Sequence, residues 1–247
     1  MINHHNKKLT NLTWWDVLVL TIIMFSIAIY NSLIIYVDLA DKQIGEEIEF
    51  TSNMNWDNLG VQAVLLALAM CYLRLRNFNF AQWTISINLK AIVQGVGIFL
   101  AVALAMDMFF MAWSYIIPFP VSEESVDLSS AYTVLPKIDL SLLLYAALNG
   151  FYEEIFFLGI CLAVARHQRW LFILYALLIR YAFHTYQGQA AAVGIALVLG
   201  GSYYFLYKTI RPKNLFPFFL AHALSDVFGV GILTYIASLN SSRDFAS

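Results

Sequence analysis

Charge is scarce in this chain. Asp, Glu, Lys and Arg make up 12% of its 247 residues, about half the roughly 25% of a soluble domain. Glycine and proline number only 12 and five, and no Gly/Pro/Ser-rich linker divides the sequence. The net charge of −2 comes with no basic stripe and no phosphate-cradling glycine loop, which excludes the usual nucleic-acid footprint. Two cysteines, Cys71 and Cys161, both lie in apolar runs. Their spacing offers no metal site, a disulfide in hydrocarbon is improbable, and they are expected as small core residues.

What is abundant is apolar surface: 61% hydrophobic residues, 16% aromatics and a mean hydropathy of +0.70. A span needs about 20 apolar residues. Runs of that kind fall at 14–37, 59–76, 91–117, 140–165, 170–187, 189–210 and 215–237. The expected fold is therefore all-α: a polytopic membrane protein of about seven transmembrane helices. The 14–37 run is too long for a signal-peptide core and lacks a following small-residue cleavage site, so it is expected to be a retained first span.

Lys7 and Lys8, then Arg74, Arg76 and Lys90, then Arg166 and Arg169, then Lys208, Arg211 and Lys213 flank alternate ends of these runs. Acidic loops with Glu46, Glu47, Glu49, Glu123, Glu124 and Asp127 lie between. The positive-inside rule puts the N-terminus in the cytoplasm and the C-terminus outside. The expected organisation is a cytoplasmic tail at 1–13, one transmembrane domain at 14–237 and a C-terminal tail at 238–247, both tails polar and without an assigned role. Between Asn77 and Lys90, apolar and polar residues alternate; beside a membrane this reads as an interfacial segment rather than a strand.

Three ionisable groupings interrupt the apolar runs: Glu153-Glu154, Arg180 with His184, and His222 with Asp226. Charge at bilayer depth is costly and tends to mark function. Neighbouring carboxylates separate their proton affinities, so one can act as a base while the other holds a proton. Arg180 and His184, at i and i+4, share a helix face; Arg180 cannot deprotonate and needs an anion, for which the Glu pair is the candidate. Asp226 either orients the His222 imidazole or joins it in donating to an oxyanion. At 1.5 Å per residue, Glu153 and His184 fall roughly 18–21 Å from the cytoplasmic helix ends and His222 about 10 Å.

These residues carry a resemblance. Glu153-Glu154-Ile-Phe-Phe-Leu-Gly159 resembles the Glu-Glu-x-x-x-Arg motif of the CAAX prenyl protease and bacteriocin-processing family of intramembrane proteases, also called CPBP or Abi. Arg180-Tyr-Ala-Phe-His184 is similar to its second motif, and His222-Ala-Leu-Ser-Asp226 to its third, His-x-x-x-Asn/Asp. The resemblance covers about 140–230. It implies a peptidase in which Glu153 is the general base and His184 its partner at the water, while His222 and Asp226 stabilise the oxyanion and Glu154 supports the site. The family's motif Arg falls at Leu158, a cation that Arg180 can supply from the next helix.

The cluster lacks the His-Glu-x-x-His spacing of common zinc peptidases. No metal is expected; a zinc-dependent version would use Glu153, His184 and His222. The implied setting is a bacterial plasma membrane, with a hydrophobic or membrane-anchored peptide as substrate in bacteriocin or signal-peptide maturation or immunity, and a membrane protein as a further partner. Two other classes compete: a non-catalytic interaction or immunity protein of the same fold, and a proton-coupled transporter, which would also use buried Glu, His and Asp but should show repeats and broken helices.

Overall fold

The computed structural model describes residues 8–41, 51–116 and 138–233, and these are mostly helical. They are α1 (Trp14–Asp41), α2 (Ser52–Leu75), α3 (Leu89–Ile116), α4 (Leu140–Ile160), α5 (Arg169–His184), α6 (Gln189–Thr209) and α7 (Phe216–Phe228). Two helices widen into π-helical stretches: Ile155–Ile160 in α4 and Gly194–Gly200 in α6. There is no strand among the described residues, and residues 77–88 form an irregular connection with one 3₁₀ turn, Phe80–Gln82, before α3 begins at Leu89.

The protein is an all-α, multi-pass membrane protein. Among the described residues five helices, α1, α2, α3, α4 and α6, are long and apolar enough to cross a bilayer. The runs at 170–187 and 215–237 produce shorter helices of 16 and 13 residues. The first ends in a 3₁₀ turn, Thr185–Gln187, before Gly188. The second stops at Gly229, which has φ +83°, a left-handed conformation that glycine adopts without steric cost; residues 234–237 of that run lie outside the described residues. Apolar side chains such as Ile22, Val64, Leu104 and Leu178 are exposed on the helix surfaces, as lipid-facing positions should be.

α2 begins seven residues before its apolar run, at Ser52, with the Thr51 hydroxyl capping Met54 N–H. Hydropathy misses this turn because Ser52 and Asn55 are polar; both face α4 rather than lipid, Ser52 bonding to Asp139 and Asn55 to Ser141. Asp139 in turn caps α4, accepting from Leu142 N–H at 2.9 Å and the Ser141 hydroxyl at 2.6 Å. The Ser141 and Ser52 hydroxyls and that amide hold the Asp139 carboxyl down at about 2, because hydrogen bonds to the ionised form favour it.

Two expectations are corrected. The N-terminal stretch is not simply a tail: residues 8–13 are pinned, Leu9 N–H donating to Asn77 O at 2.9 Å and Leu12 N–H to Ala163 O at 2.6 Å. Asp16 then anchors the base of α1, accepting from Arg76 Nε at 2.6 Å, the Tyr72 hydroxyl at 2.8 Å and Thr13 N–H at 2.8 Å. Of the cysteines, Cys161 is in the core but Cys71 is exposed on α2. Residues 1–7 and the tail at 238–247 lie outside the described residues.

α7 is the pivot of the bundle, packed chiefly between α3 and α4, while α2 backs α4 and α1 lies against α2 and α5. Its start is held at the bundle end by Asn214, which exchanges hydrogen bonds with Ser86 N–H (2.9 Å) and O (2.8 Å). α4 and α7 approach so closely that a Cβ at Gly150 would lie 2.5 Å from Phe219 O and 2.9 Å from Ala223 N. Only glycine permits that distance, and it brings the carboxylates of α4 to the imidazole of α7.

Candidate active site

Glu153 and Glu154 close the regular part of α4, just before the π-helical turn. That turn bonds Cys161 N–H to Phe156 O, five residues back, and π-bulges recur at functional sites. All six of its residues are buried. Phe157 lies beneath the Arg180 guanidinium, 4.0 Å from Cζ to the ring centre, a cation–π contact that is stronger when desolvated. Gly200 of α6 keeps the other side open, since a Cβ there would meet Arg180 Cδ at 3.2 Å.

One oxygen organises the cluster. Glu154 Oε1 accepts from Arg180 Nη2 at 2.7 Å and from His222 Nδ1 at 2.7 Å, with Glu154 and Arg180 side chains 0% and 2% exposed. Arg180 thus places a cation beside Glu154 although Leu158 occupies the motif's Arg position; Leu158, Glu154 and Arg180 line one pocket between α4, α5 and α6. Replacing either partner of such a buried pair would leave an uncompensated charge.

Glu153 is held differently. Its Oε1 accepts from Asn149 Nδ2 at 3.2 Å, one turn earlier on α4, and the same Nδ2 donates to Asp226 Oδ2 at 2.9 Å. Asn149 Oδ1 accepts from Gln62 Nε2 of α2 at 2.6 Å. Glu153 Oε2 is buried without a hydrogen-bond partner among the described residues. It faces His222 Nε2 at 3.6 Å and Arg180 Nη1, also unpartnered, at 3.9 Å, while Asp226 Oδ1 lies 3.7 Å from His222 Nε2. These separations exceed direct hydrogen bonds and suit a bridging water.

The fold therefore brings Glu153, Glu154, Arg180, His222 and Asp226 together, and the 2.7 Å contact puts His222 at the depth of Glu154. The shallower count for His222 assumed a span starting at the membrane surface. The carboxylate that orients the imidazole through Nδ1 is Glu154, not Asp226. His184 stands at the margin: buried, one turn past Arg180, its Nδ1–H donating to Arg180 O at 2.8 Å, with no direct hydrogen bond to the carboxylates among the described residues. That bond leaves Nε2 as an acceptor. By distance alone Glu153, Glu154 and His222 could share a metal ion, their ligand atoms lying within 4.8 Å of one another.

Asn149 and Gln62 were not singled out from sequence. Asn149 was findable, four residues before Glu153 on the same helix face. Gln62 was not, because nothing local pairs α2 with α4.

A helical membrane bundle with a buried carboxylate–imidazole–guanidinium centre is the class these observations define. Residues 136–228 match the family described as type II CAAX prenyl endopeptidase Rce1-like, which covers every ionisable residue of the centre. The resemblance to the CPBP family of intramembrane proteases is shown by that match. No curated protein and no solved structure shows significant similarity to the chain.

Proposed function

We propose that the protein is an intramembrane endopeptidase that hydrolyses a peptide bond in a hydrophobic or membrane-anchored substrate with water activated by Glu153. The observation that carries this is the unpartnered Glu153 Oε2, separated by 3.6 Å from His222 Nε2 and 3.9 Å from Arg180 Nη1. A water there meets a carboxylate acceptor and imidazole and guanidinium nitrogens, the partners an ordered water needs.

In this reading Glu153 takes a proton from the water as its oxygen bonds to the scissile carbonyl carbon. His222, protonated at both ring nitrogens, keeps Nδ1–H on Glu154 and turns Nε2–H to the oxyanion. Asp226 assists when protonated, and His184 Nε2 accepts the second water hydrogen. On collapse the C–N bond breaks and the amine leaves with the proton held by Glu153. Glu154 and Arg180 hold the imidazole in place.

We read the reaction as metal-free. The Glu154 oxygen that would ligate an ion already accepts two hydrogen bonds at 2.7 Å. The guanidinium reaches both carboxylates, so a divalent ion would have to displace a buried cation. The setting proposed is a bacterial plasma membrane with the N-terminus cytoplasmic, and the process bacteriocin or peptide-signal maturation or immunity.

The test compares membrane and secreted peptides by mass spectrometry in cells carrying the wild type or Glu153→Gln at matched abundance. A precursor that accumulates only with the variant, its product lost, is expected. Identical peptide profiles with a phenotype that survives the substitution would replace the peptidase by a binding-only protein.

A further inference from the structure

The interface between α2 and α4 is polar along a line that ends at the site. On α4, Ser141, Tyr145, Asn149 and Glu153 recur every four residues and so form one ridge. Opposite them on α2 stand Ser52, Asn55 and Gln62, bonded respectively to Asp139, to Ser141 at 3.4 Å and to Asn149 at 2.6 Å. Gln62 lies ten residues beyond Ser52, about 15 Å along the helix. Two helices meeting only to pack in a membrane have no need of such depth of polarity.

Among the described residues three buried oxygens lack a protein donor here: Asn55 Oδ1 and Gln62 Oε1 on this line, and Glu153 Oε2 at its inner end. Asn55 and Glu153 are each 4% exposed. All three are acceptors, so what is missing is a donor that fits between two helices. Lipid acyl chains have none, and water donates two hydrogens. Such oxygens are rarely left dry. At the inner end, Asp226 is the cluster's most open member, its side chain 22% exposed against 5% for Glu153.

We propose that the α2–α4 seam is a hydrated path by which water reaches Glu153 from the membrane face where α2 and α4 both begin. The path rests on the orphaned acceptors; only the fate of its water rests on the peptidase reading. A hydrolase buried in lipid consumes one water per bond cut, and bulk water must replace it by some polar route. Asn149 is the junction, contacting Gln62 from the seam and Glu153 and Asp226 from the site.

The test uses the full chain in membranes with Cys71 and Cys161 replaced by Ala, and a water-soluble methanethiosulfonate reagent that reads water access without turnover. Gln62→Cys should label at least about tenfold faster than Ala63→Cys, its exposed, lipid-side neighbour on α2, because only a hydrated thiol ionises and reacts. Adding Asn55→Leu should remove that advantage by closing the outer seam. Equal, slow labelling at both positions would overturn the path. Ser141→Cys gives the same reading where Gln62→Cys does not accumulate. A labelled seam in a protein whose Glu153→Gln form keeps full function would leave the path standing and remove the peptidase.

Discussion

Arg180 Nη2 lies 2.7 Å from Glu154 Oε1, an ion pair between adjacent helices with both side chains buried. The pair joins α4 to α5, and the same oxygen joins α4 to α7 through His222. A single carboxylate therefore fixes the relative positions of all three helices that carry the site. Its cation approaches from α5 because Leu158, in the π-helical turn, contributes only packing.

Arg180→Leu should be severe, since it strands the Glu154 charge at a cost of about 3–5 kcal/mol. Folded protein in the membrane should fall, seen as a lower detergent-resistant yield. Arg180→Lys should accumulate better but remain impaired, because a point charge cannot reach Glu154 and Glu153 as the planar guanidinium does. Adding Leu158→Arg to Arg180→Leu should recover yield, since both positions line the pocket beside Glu154. No recovery would show that only the α5 direction serves.

Gly150→Ala puts a methyl 2.5 Å from Phe219 O, and backbone oxygen cannot yield as a side-chain tip can. α4 and α7 must separate, loosening His222 from Glu154. The expected result is a loss of activity larger than the loss of thermal stability, measured on purified protein in detergent. Overpacking of this kind costs about 1–3 kcal/mol. Normal activity would mean that the two helices slide without disturbing the imidazole.

The helices were legible where lipid dictated their composition, and the polar cluster where charge interrupted apolar runs. The positions at which expectation and structure part are long-range. Ser52 and Asn55 hid the first turn of α2 because their partners lie on α4. Helix spacing offers Asp226 as one possible orienting partner of His222, but that neighbour reaches only to 3.7 Å while Glu154 arrives at 2.7 Å from another helix. The π-helical turn after Glu154 leaves no mark in hydropathy, since all six of its residues are apolar or glycine. Gly150 became meaningful only once α7 was known to touch it.

Asn149 divides its amide between Glu153 and Asp226. Asn149→Ala removes hydrogen bonds to two carboxyl groups, and the one to the charged Glu153 is worth about 1.5–3 kcal/mol, or roughly 10- to 150-fold. The effect should fall on kcat rather than KM, because the residue positions the base and reaches substrate only through it. Asn149→Asp should be worse, adding a third carboxylate to the same corner. Unchanged kcat in Asn149→Ala would leave Glu153 positioned by the backbone of α4 alone.

Metal removal separates the two accounts of water activation. A site built on the Arg180–Glu154–His222 contacts should keep its activity through prolonged chelation, because no ligand atom is released when metals are stripped. Loss of activity on chelation, reversed by zinc, would require Arg180 to leave Glu154 before an ion could share Glu153, Glu154 and His222. In that event Arg180→Leu would raise metal affinity instead of emptying the membrane of folded protein. Equilibrium dialysis of the wild type and this variant against zinc separates the cases, tighter binding by the variant marking the metal-dependent one. Equal and negligible binding is the outcome expected from the guanidinium-filled centre.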